Sequence, residues 1–214
     1  MTQRHRGIFS FLKHASVYEA VQSALGARAV RGQFARIYVR AKAGDRVLDI
    51  GCGTGAILAH LPAVTYHGYE PNARYVERAR RAFPDRGTFH AGYFSANSAK
   101  SLDPFDIVIL SAVLHHISDA EAFDLFALLR QILRPGGRVV TLDNVIVEHQ
   151  NPIARLLIKF DRGRHVRSAT EYKALADRSF QHVAGEVVHR VFPPSTYFTS
   201  PRSDAHEAAS GSSP

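Results

Sequence analysis

The stretch VLDIGCGTG, residues 47–55, sets three glycines directly behind a short apolar run. Such a run is typical of a buried parallel strand, and Gly51, Gly53 and Gly55 allow the backbone after it to turn sharply and approach a ligand closely. The helix predicted from Thr54 onward offers unpaired N–H groups to a carboxylate or phosphate. We therefore expect a ligand site at the carboxyl end of the first strand, where α/β folds bind ligands.

Outward from this stretch, apolar runs alternate with helical patterns between residues 45 and 145. Strands are predicted at 45–50, 65–70, 105–113 and 137–145, and residues 86–94 are predicted to form a further strand and the loop after it. Helices are predicted at 54–61, 73–83 and 118–133. Asn72 is placed to cap the second helix, and Ser118 with Glu121 to form a capping box on the third. The alternation predicts an α/β fold with a Rossmann-like, doubly wound parallel sheet.

Three parts are predicted along the chain. Residues 1–43 form an N-terminal helical cap, with helices near 16–25 and 31–40 broken by Gly26 and Gly32. Residues 44–200 form the sheet domain, and residues 201–214 a disordered tail. The sheet domain includes a lid insert at about 148–180, with helices near 152–160 and 169–180, and a closing hairpin at 185–192 and 195–200.

Composition limits the partners and the compartment. The 214 residues carry a formal net charge of +8, which favours an anionic partner such as a nucleic acid, a charged metabolite or a membrane surface. No apolar run is long enough to span a bilayer, and the basic start of the chain lacks the pattern of a secretory signal. Cys52 is the only cysteine, so no intrachain disulfide forms and a cytoplasmic location is expected.

The glycine pattern limits the classes of ligand that the loop can bind. It reads G-x-G-x-G rather than the dinucleotide pattern G-x-G-x-x-G, and no Walker lysine follows it, which excludes a P-loop. Glu70 ends the second predicted strand roughly 20 residues after Gly51, where an acid binds ribose hydroxyls in dinucleotide folds. A carboxylate in that place serves any adenosine cofactor.

Four motifs in this order, VLDIGCGTG, GYEPN, FDIVILSAVLHHISD and LRPGGRVVTLDN, resemble the class I S-adenosylmethionine-dependent methyltransferases. The resemblance implies a seven-stranded sheet whose last strand is antiparallel, with S-adenosylmethionine as cofactor and S-adenosylhomocysteine as product. It implies that Asp49 and the loop residues hold the methionine part and that Glu70 holds the ribose. The loop residues are Gly51, Cys52, Gly53, Thr54 and Gly55, with Pro71 and Ser111 as further contacts. The Cys52 side chain itself is expected to point into the core.

The loop after the third strand departs from the family. Many members carry an acid there that meets the adenine amino group, whereas this chain has Tyr93 and Phe94. Either ring is a candidate for stacking on adenine, and core packing is the alternative.

Catalytic candidates follow the fourth and fifth strands. Histidine suits a general base near neutral pH, and His115 and His116 come directly after the fourth strand. Adjacent residues point in different directions, so at most one is expected to face a substrate. Asp143 ends the fifth strand beside them and is placed to orient a histidine or to bind substrate, with a loop-capping role as the alternative.

The substrate is expected to be a small molecule of metabolite or glycan type, methylated at oxygen, with nitrogen next, and no metal is required. Arginines of the lid suit a phosphate or carboxylate by their bidentate geometry, so the substrate is a candidate anion. The substrate-binding candidates are Tyr18, Arg162, Arg164, Arg167 and Tyr172. A solvated basic turn and core tyrosines are the structural alternatives.

Two other functions remain open from the sequence. The basic charge favours an RNA or tRNA methyltransferase, although no separate RNA-binding domain is evident and a nucleic-acid partner is not expected. A protein that binds an adenosyl ligand without turnover would keep the same glycine loop. The histidine pair favours catalysis.

Overall fold

The computed structural model describes residues 27–152, 154–155, 165–190 and 195–204. The helices are α1 (Ala27–Phe34), continued by a π-helical turn (Ala35–Val39), α2 (Ala73–Ala82), α3 (Ala96–Ala99), α4 (Asp119–Ile132) and α5 (Ala169–Asp177). Short 3₁₀ helices lie at Ala56–His60 and Leu114–His116. The strands are β1 (Arg46–Ile50), β2 (Thr65–Glu70), β3 (Thr88–Ala91), β4 (Phe105–Ser111), β5 (Leu133–Ile146), β6 (Arg167–Ser168), β7 (His182–Arg190) and β8 (Ser195–Asp204).

Seven of these strands form one sheet in the order β3-β2-β1-β4-β5-β8-β7, and the two-residue β6 pairs with β5. The pairs among β1 to β5 are parallel, whereas β8 runs antiparallel to β5 and β7. The predicted sheet with an antiparallel last strand is confirmed, with β6 as one short additional strand. The strand order reverses at β1 and β4, so a crevice is expected at their carboxyl ends.

Two hydrophobic clusters hold the sheet from its two faces. Side chains alternate along a strand, so Leu48 faces the cluster that contains α4 and α5. Val47 faces the cluster that contains α1, the first 3₁₀ helix and α2. Asp49 follows Val47 by two residues and therefore lies on that second face. The doubly wound arrangement is thereby confirmed.

The described part of the predicted cap packs into the second cluster, where Phe34, Tyr38 and Val39 are buried. The prediction that Gly32 breaks the helix is wrong, because α1 continues through it. A Cβ at Gly32 would lie 3.2 Å from the His60 ring, so glycine permits the close approach of helix and turn. The boundary at residue 43 therefore does not divide two cores, and the helix predicted at 16–25 lies outside the described residues.

Two other element predictions need correction. The helix predicted at 54–61 is only a 3₁₀ helix, Ala56–His60, because Gly55 adopts a left-handed conformation before it and Pro62 follows it. The tail prediction is wrong for residues 201–204, because β8 keeps its ladder with β7 to Asp204, and the rest of the predicted tail lies outside the described residues. Of the helix predicted near 152–160, only three residues are described.

The helix caps are confirmed. Asn72 accepts a hydrogen bond from the Arg74 N–H at 3.1 Å, and Ser118 and Glu121 form a capping box on α4. A second capping box, Ser168 with Glu171, begins α5. No helix among the described residues is long and apolar enough to cross a membrane.

Candidate active site

The carboxyl ends of β1, β2, β4 and β5 bring the predicted polar residues to one edge of the sheet. The glycine loop after β1 contacts the turn after β4, since a Cβ added to Gly51 would lie 2.8 Å from Val113 Cγ2. Ser111 pairs with Leu142 in the β4–β5 ladder, which places Asp143 beside the same turn. The predicted cofactor loop and the predicted catalytic residues are therefore neighbours.

Glu70 holds the glycine loop in place. Its Oε2 accepts a hydrogen bond from the Gly53 N–H at 3.1 Å, and its Oε1 accepts one from the Asn72 N–H at 2.8 Å. The side chain is largely buried, at 9% exposed. Each carboxylate oxygen has two lone pairs, so each can accept one further bond from a ligand hydroxyl.

Asp49 is more deeply buried, at 3% exposed. The Tyr66 hydroxyl donates to its Oδ2 at 2.5 Å, and its Oδ1 has no hydrogen-bond partner among the described residues. Burial raises the pKa of the Asp49 carboxyl from 3.8 to about 7, the Tyr66 hydrogen bond lowers it, and the Glu70 charge raises it further. A buried carboxyl whose second oxygen has no described partner is suited to bind a cationic group of a ligand, because a nearby positive charge stabilises its ionised form.

The three glycines of the loop have different surroundings, although all have a positive φ. A Cβ at Gly55 would lie 2.8 Å from the Phe89 ring, so this glycine allows close packing of the loop on β3. A Cβ at Gly53 would meet no atom of the described residues within 4 Å. The loop therefore packs against protein at Gly51 and Gly55 and faces open space at Gly53, beside the Glu70 carboxylate.

Cys52 points into the core as expected. Its side chain packs in the second hydrophobic cluster, where a Cβ on Gly68 would lie 2.7 Å from its Sγ. Burial raises the pKa of the Cys52 thiol, and the charges of Asp49 and Glu70 raise it further. The thiol is neutral and apolar in this setting, and only the backbone of Cys52 can contribute to the predicted cofactor site.

The remaining cofactor candidates border the loop. Tyr93 is 83% exposed, whereas the Phe94 ring packs edge-on against Tyr69 with centroids 5.0 Å apart. Pro71 is exposed, and Thr54 and Ser111 are half-buried. Contact of Tyr93 or Phe94 with adenine stays a prediction, and Tyr93 is the ring with a free face.

His115 and Asp143 form a buried pair. The Nδ1 of His115 lies 2.8 Å from the Asp143 Oδ1, and the backbone N–H of His115 donates to the same oxygen at 3.2 Å. His115 and Asp143 are each 1% exposed, and the Asp143 Oδ2 has no partner among the described residues. A carboxylate only accepts, so the geometry places a proton on Nδ1 and makes Nε2 the basic nitrogen.

His116 points elsewhere, as expected for adjacent residues. It is exposed, whereas His115 is buried, and the two rings are 4.1 Å apart at an angle of 45°. Both histidines lie in the 3₁₀ helix Leu114–His116. The short helix therefore presents one histidine to Asp143 and the other to the surface.

Arg167 does not occupy a substrate-binding position, contrary to the sequence prediction. Its guanidinium makes five hydrogen bonds, to Asp119 Oδ1 from both Nε and Nη2 and to the carbonyls of Leu114, Ile117 and His165. Arginine has five N–H donors, so none remains for a substrate. The residue instead clamps the start of α5 to the turn that carries the histidines.

Tyr172 is also a structural residue rather than a substrate contact. It is 2% exposed, and its hydroxyl donates to the Asn144 carbonyl at 3.1 Å. Burial raises its pKa, and the Asp143 charge raises it further, so the hydroxyl remains a donor. Tyr18, Arg162 and Arg164 lie outside the described residues.

Residues 23–191 match the protein family described as a methyltransferase domain. The chain belongs to this family. It is 33% identical over 149 residues to acetylserotonin O-methyltransferase of Mus musculus, an alignment that covers 62% of the chain and 38% of the mouse protein. An uncharacterized methyltransferase of Geobacillus thermodenitrificans is 32% identical over 104 residues, which cover 48% of each protein. The chain thus spans less than half of these relatives.

Solved structures share the fold of this methyltransferase domain. A mitomycin 7-O-methyltransferase superposes with a TM-score of 0.64 at 24% identity and covers 91% of the chain and 60% of its own length. A methyltransferase of calicheamicin biosynthesis, in its S-adenosylhomocysteine-bound form, superposes with a TM-score of 0.63 at 19% identity. The superposition covers 92% of the chain and 61% of that methyltransferase. Human N-acetylserotonin methyltransferase in complex with S-adenosylmethionine superposes with a TM-score of 0.58 at 16% identity. The superposition covers 84% of the chain and 52% of the human protein.

Two residues that the structure brings into the site of this methyltransferase domain were not predicted from the sequence. Tyr66 reaches Asp49 from the neighbouring strand, and Asp119 holds Arg167. The β1–β2 register pairs Asp49 with Gly68, so Tyr66, two residues earlier, lies on the same face as Asp49. The alternation of β2 carried that signal, but only the register shows that the two side chains meet.

A large open groove of the methyltransferase domain lies away from the glycine loop. It has a volume of about 1040 Å³ and runs between α1 and the turn around Pro62. Three arginines line it, Arg28, Arg36 and Arg40, and no acidic side chain of the described residues does. Burial and the nearby arginines lower the pKa of His60, which also lines the groove. This groove is therefore positively charged, whereas the site at the glycine loop holds buried acids.

Proposed function

We propose that this chain is an S-adenosylmethionine-dependent methyltransferase that methylates a hydroxyl group of a small molecule. The observation that carries the proposal is the buried pair of His115 and Asp143, with Nδ1 and Oδ1 2.8 Å apart, next to the glycine loop of a methyltransferase-family domain. A hydroxyl acceptor needs a base, and an oriented histidine supplies one near neutral pH.

The glycine loop fits the proposed cofactor. Gly53 faces open space where a side chain would intrude, and the Glu70 carboxylate beside it retains acceptor capacity for two ribose hydroxyls. Asp49 offers one buried oxygen, which has no hydrogen-bond partner among the described residues, to the cationic methionine end. When bound, S-adenosylmethionine supplies an activated methyl group on a sulfonium sulfur.

The residues of this chain contribute position and proton transfer. Asp143 accepts the Nδ1–H bond and fixes the tautomer of His115, so that Nε2 takes the acceptor proton. Two backbone bonds reinforce the turn: the His115 N–H donates to Asp143, and the His165 N–H donates to the His115 carbonyl at 3.0 Å. The Arg167 clamp holds the same turn from the lid side.

The class of acceptor comes from the relatives and is part of the proposal. The mouse relative is an acetylserotonin O-methyltransferase, and one structural neighbour is a mitomycin 7-O-methyltransferase. We propose a hydroxylated aromatic or heteroaromatic metabolite on this basis. The test is transfer of labelled methyl groups to a panel of phenols and hydroxy-heterocycles, with mass spectrometry of the product and His115→Ala as control. Cofactor binding without transfer to any acceptor would favour a non-catalytic binder.

Two finer proposals rest on sequence features. Arg162 and Arg164 support an anionic substituent on the acceptor, and a double alanine variant should then raise KM for carboxylated acceptors but not for neutral ones. The single thiol, Cys52, supports a cytoplasmic location, which cell fractionation tests.

A further inference from the structure

Asp49 combines features that are unfavourable for a carboxylate. It is 3% exposed, and only one of its oxygens has a hydrogen-bond donor among the described residues. Burial of an ionised carboxyl without full hydrogen bonding is strongly unfavourable, so the group tends to take up a proton. Its strand neighbours are apolar, because the sheet pairs it with Gly68 on β2 and Ile109 on β4.

The titratable groups around Asp49 are Tyr66 and Glu70 on β2 and Cys52 on the glycine loop. Burial raises the pKa of both Tyr66 and Cys52, so these two groups are neutral. Glu70 accepts two backbone hydrogen bonds. No described cation acts on Asp49, and the Tyr66 hydroxyl is the one described donor that favours its ionised form.

We propose that Tyr66 is a positioning residue of the cofactor site: its hydroxyl holds the Asp49 carboxyl ready to ionise, so that binding of the cationic sulfonium cofactor releases the Asp49 proton. The inference rests on the proposed function and names the group that sets the charge of that site.

The charge of the ligand decides how strongly it is coupled to Asp49. S-adenosylmethionine carries one more positive charge than S-adenosylhomocysteine, because the sulfonium becomes a neutral thioether when the methyl group leaves. An ionised Asp49 attracts the cationic cofactor more than the neutral product. With a pKa of about 7 for Asp49 before binding, affinity for S-adenosylmethionine rises as the pH rises through 7, and the affinity for S-adenosylhomocysteine rises less.

The experiment is calorimetric titration of the wild-type chain with each of the two ligands at several pH values. Repeating it in two buffers of different ionisation enthalpy gives the number of protons released. We expect the Kd for S-adenosylmethionine to fall about tenfold between about pH 6 and pH 8.5, with about one proton released at pH 6 and almost none at pH 8.5. This measurement needs no variant.

Tyr66→Phe isolates the hydroxyl, because the ring that packs 5.6 Å from Phe89 is kept. The variant should move the rise in affinity to higher pH and weaken S-adenosylmethionine binding at pH 7 roughly fivefold, since a hydrogen bond to a charged group is lost. Asp49→Asn should abolish the pH dependence. Tyr38→Phe is the matched control: it also removes a tyrosine hydroxyl that donates to a carboxylate, that of Glu186, and should leave the profile unchanged.

The outcomes separate the two proposals. Binding of neither ligand by folded wild-type protein would contradict the proposed function. Binding of both with no proton release and the same Kd at every pH would overturn the role of Asp49 and leave the proposed function intact. A Tyr66→Phe profile that overlays the wild type would overturn the role of Tyr66, and a pH profile for S-adenosylhomocysteine as steep as that for S-adenosylmethionine would overturn the selection by charge.

Discussion

Two buried aspartates, Asp49 and Asp143, stand at the carboxyl ends of β1 and β5 in nearly the same local state. Each is at most 3% exposed, each accepts a side-chain hydrogen bond on one oxygen, and each has a second oxygen without a described partner. The donors differ: a tyrosine hydroxyl serves Asp49 and a histidine ring serves Asp143. The chemistry of an aspartate therefore depends on its donor, because tyrosine stays neutral while histidine can take up a proton.

The first prediction tests whether His115, the donor to Asp143, acts as a base. His115→Ala removes the proposed base and should lower kcat by roughly 10²- to 10⁴-fold, while the Kd for S-adenosylhomocysteine stays within about twofold of the wild type. His116→Ala, a change at the exposed neighbour, is the control and should retain most of the activity. Loss of activity only in the His116 variant would move the base to the surface histidine.

The second prediction concerns the stability of the ligand-free protein. The raised pKa of Asp49 means that the folded chain binds more protons than the unfolded chain between about pH 4 and pH 7. Stability is therefore lost as pH rises through that window, by roughly 2–4 kcal/mol from this group. The melting temperature of Asp49→Asn relative to wild type should rise over the same window. Parallel curves for the two proteins would show that Asp49 titrates normally.

The third prediction exchanges the second aspartate. Asp143→Asn keeps the shape of the side chain but removes the carboxylate that fixes the His115 tautomer, and kcat should fall roughly 10²-fold, the lower end of what a general base contributes. Binding of S-adenosylmethionine should keep its pH dependence, because Asp49 is unchanged. The same assay on Asp49→Asn should give the reverse pattern, with altered affinity and a nearly unchanged kcat at saturating cofactor.

How far the sequence predicts these regions depends on the range of the contacts involved. Local signals were sufficient for the capping box at Ser118 and for the strand before Gly51, because the deciding atoms lie within a few residues. The proximity of Asp143 to the histidines followed from parallel topology alone. Each of these features is encoded by period, spacing or strand order.

The sequence did not reveal features that depend on burial across the fold. Arg167 lies in a basic run and was predicted to bind substrate. Yet Asp119 and the Leu114 and Ile117 carbonyls, about 50 residues away, accept four of its five hydrogen bonds, and the His165 carbonyl accepts the fifth. In the sequence, Tyr66 has no feature that separates it from other strand residues. Only the strand register of the structure places its hydroxyl beside Asp49. The helix predicted from Thr54 was wrong because the left-handed Gly55 delays its start.

The fourth prediction compares two glycines of the loop beside Asp49 and has the smallest expected effect. Gly55→Ala should destabilise the fold by about 2 kcal/mol, because its φ is +70° and its Cβ would lie 2.8 Å from the Phe89 ring. The Cβ of Gly53→Ala would meet no atom within 4 Å in the part of the chain that the structure describes, so the variant should lose only about 1 kcal/mol for its φ of +55°. Denaturant titration of both variants measures the difference, and equal losses would contradict the packing role of Gly55.

The measurement that tests the cofactor site most directly is calorimetric titration with S-adenosylhomocysteine of the wild type, Gly53→Arg and Gly44→Arg. Both glycines have a positive φ and open space at the Cβ position, but Gly53 lies in the loop after β1 and Gly44 in the turn before it. Wild type and Gly44→Arg should bind the ligand saturably, and Gly53→Arg should not. Equal binding by the two variants, or no binding by folded wild type, would contradict a cofactor site at the glycine loop.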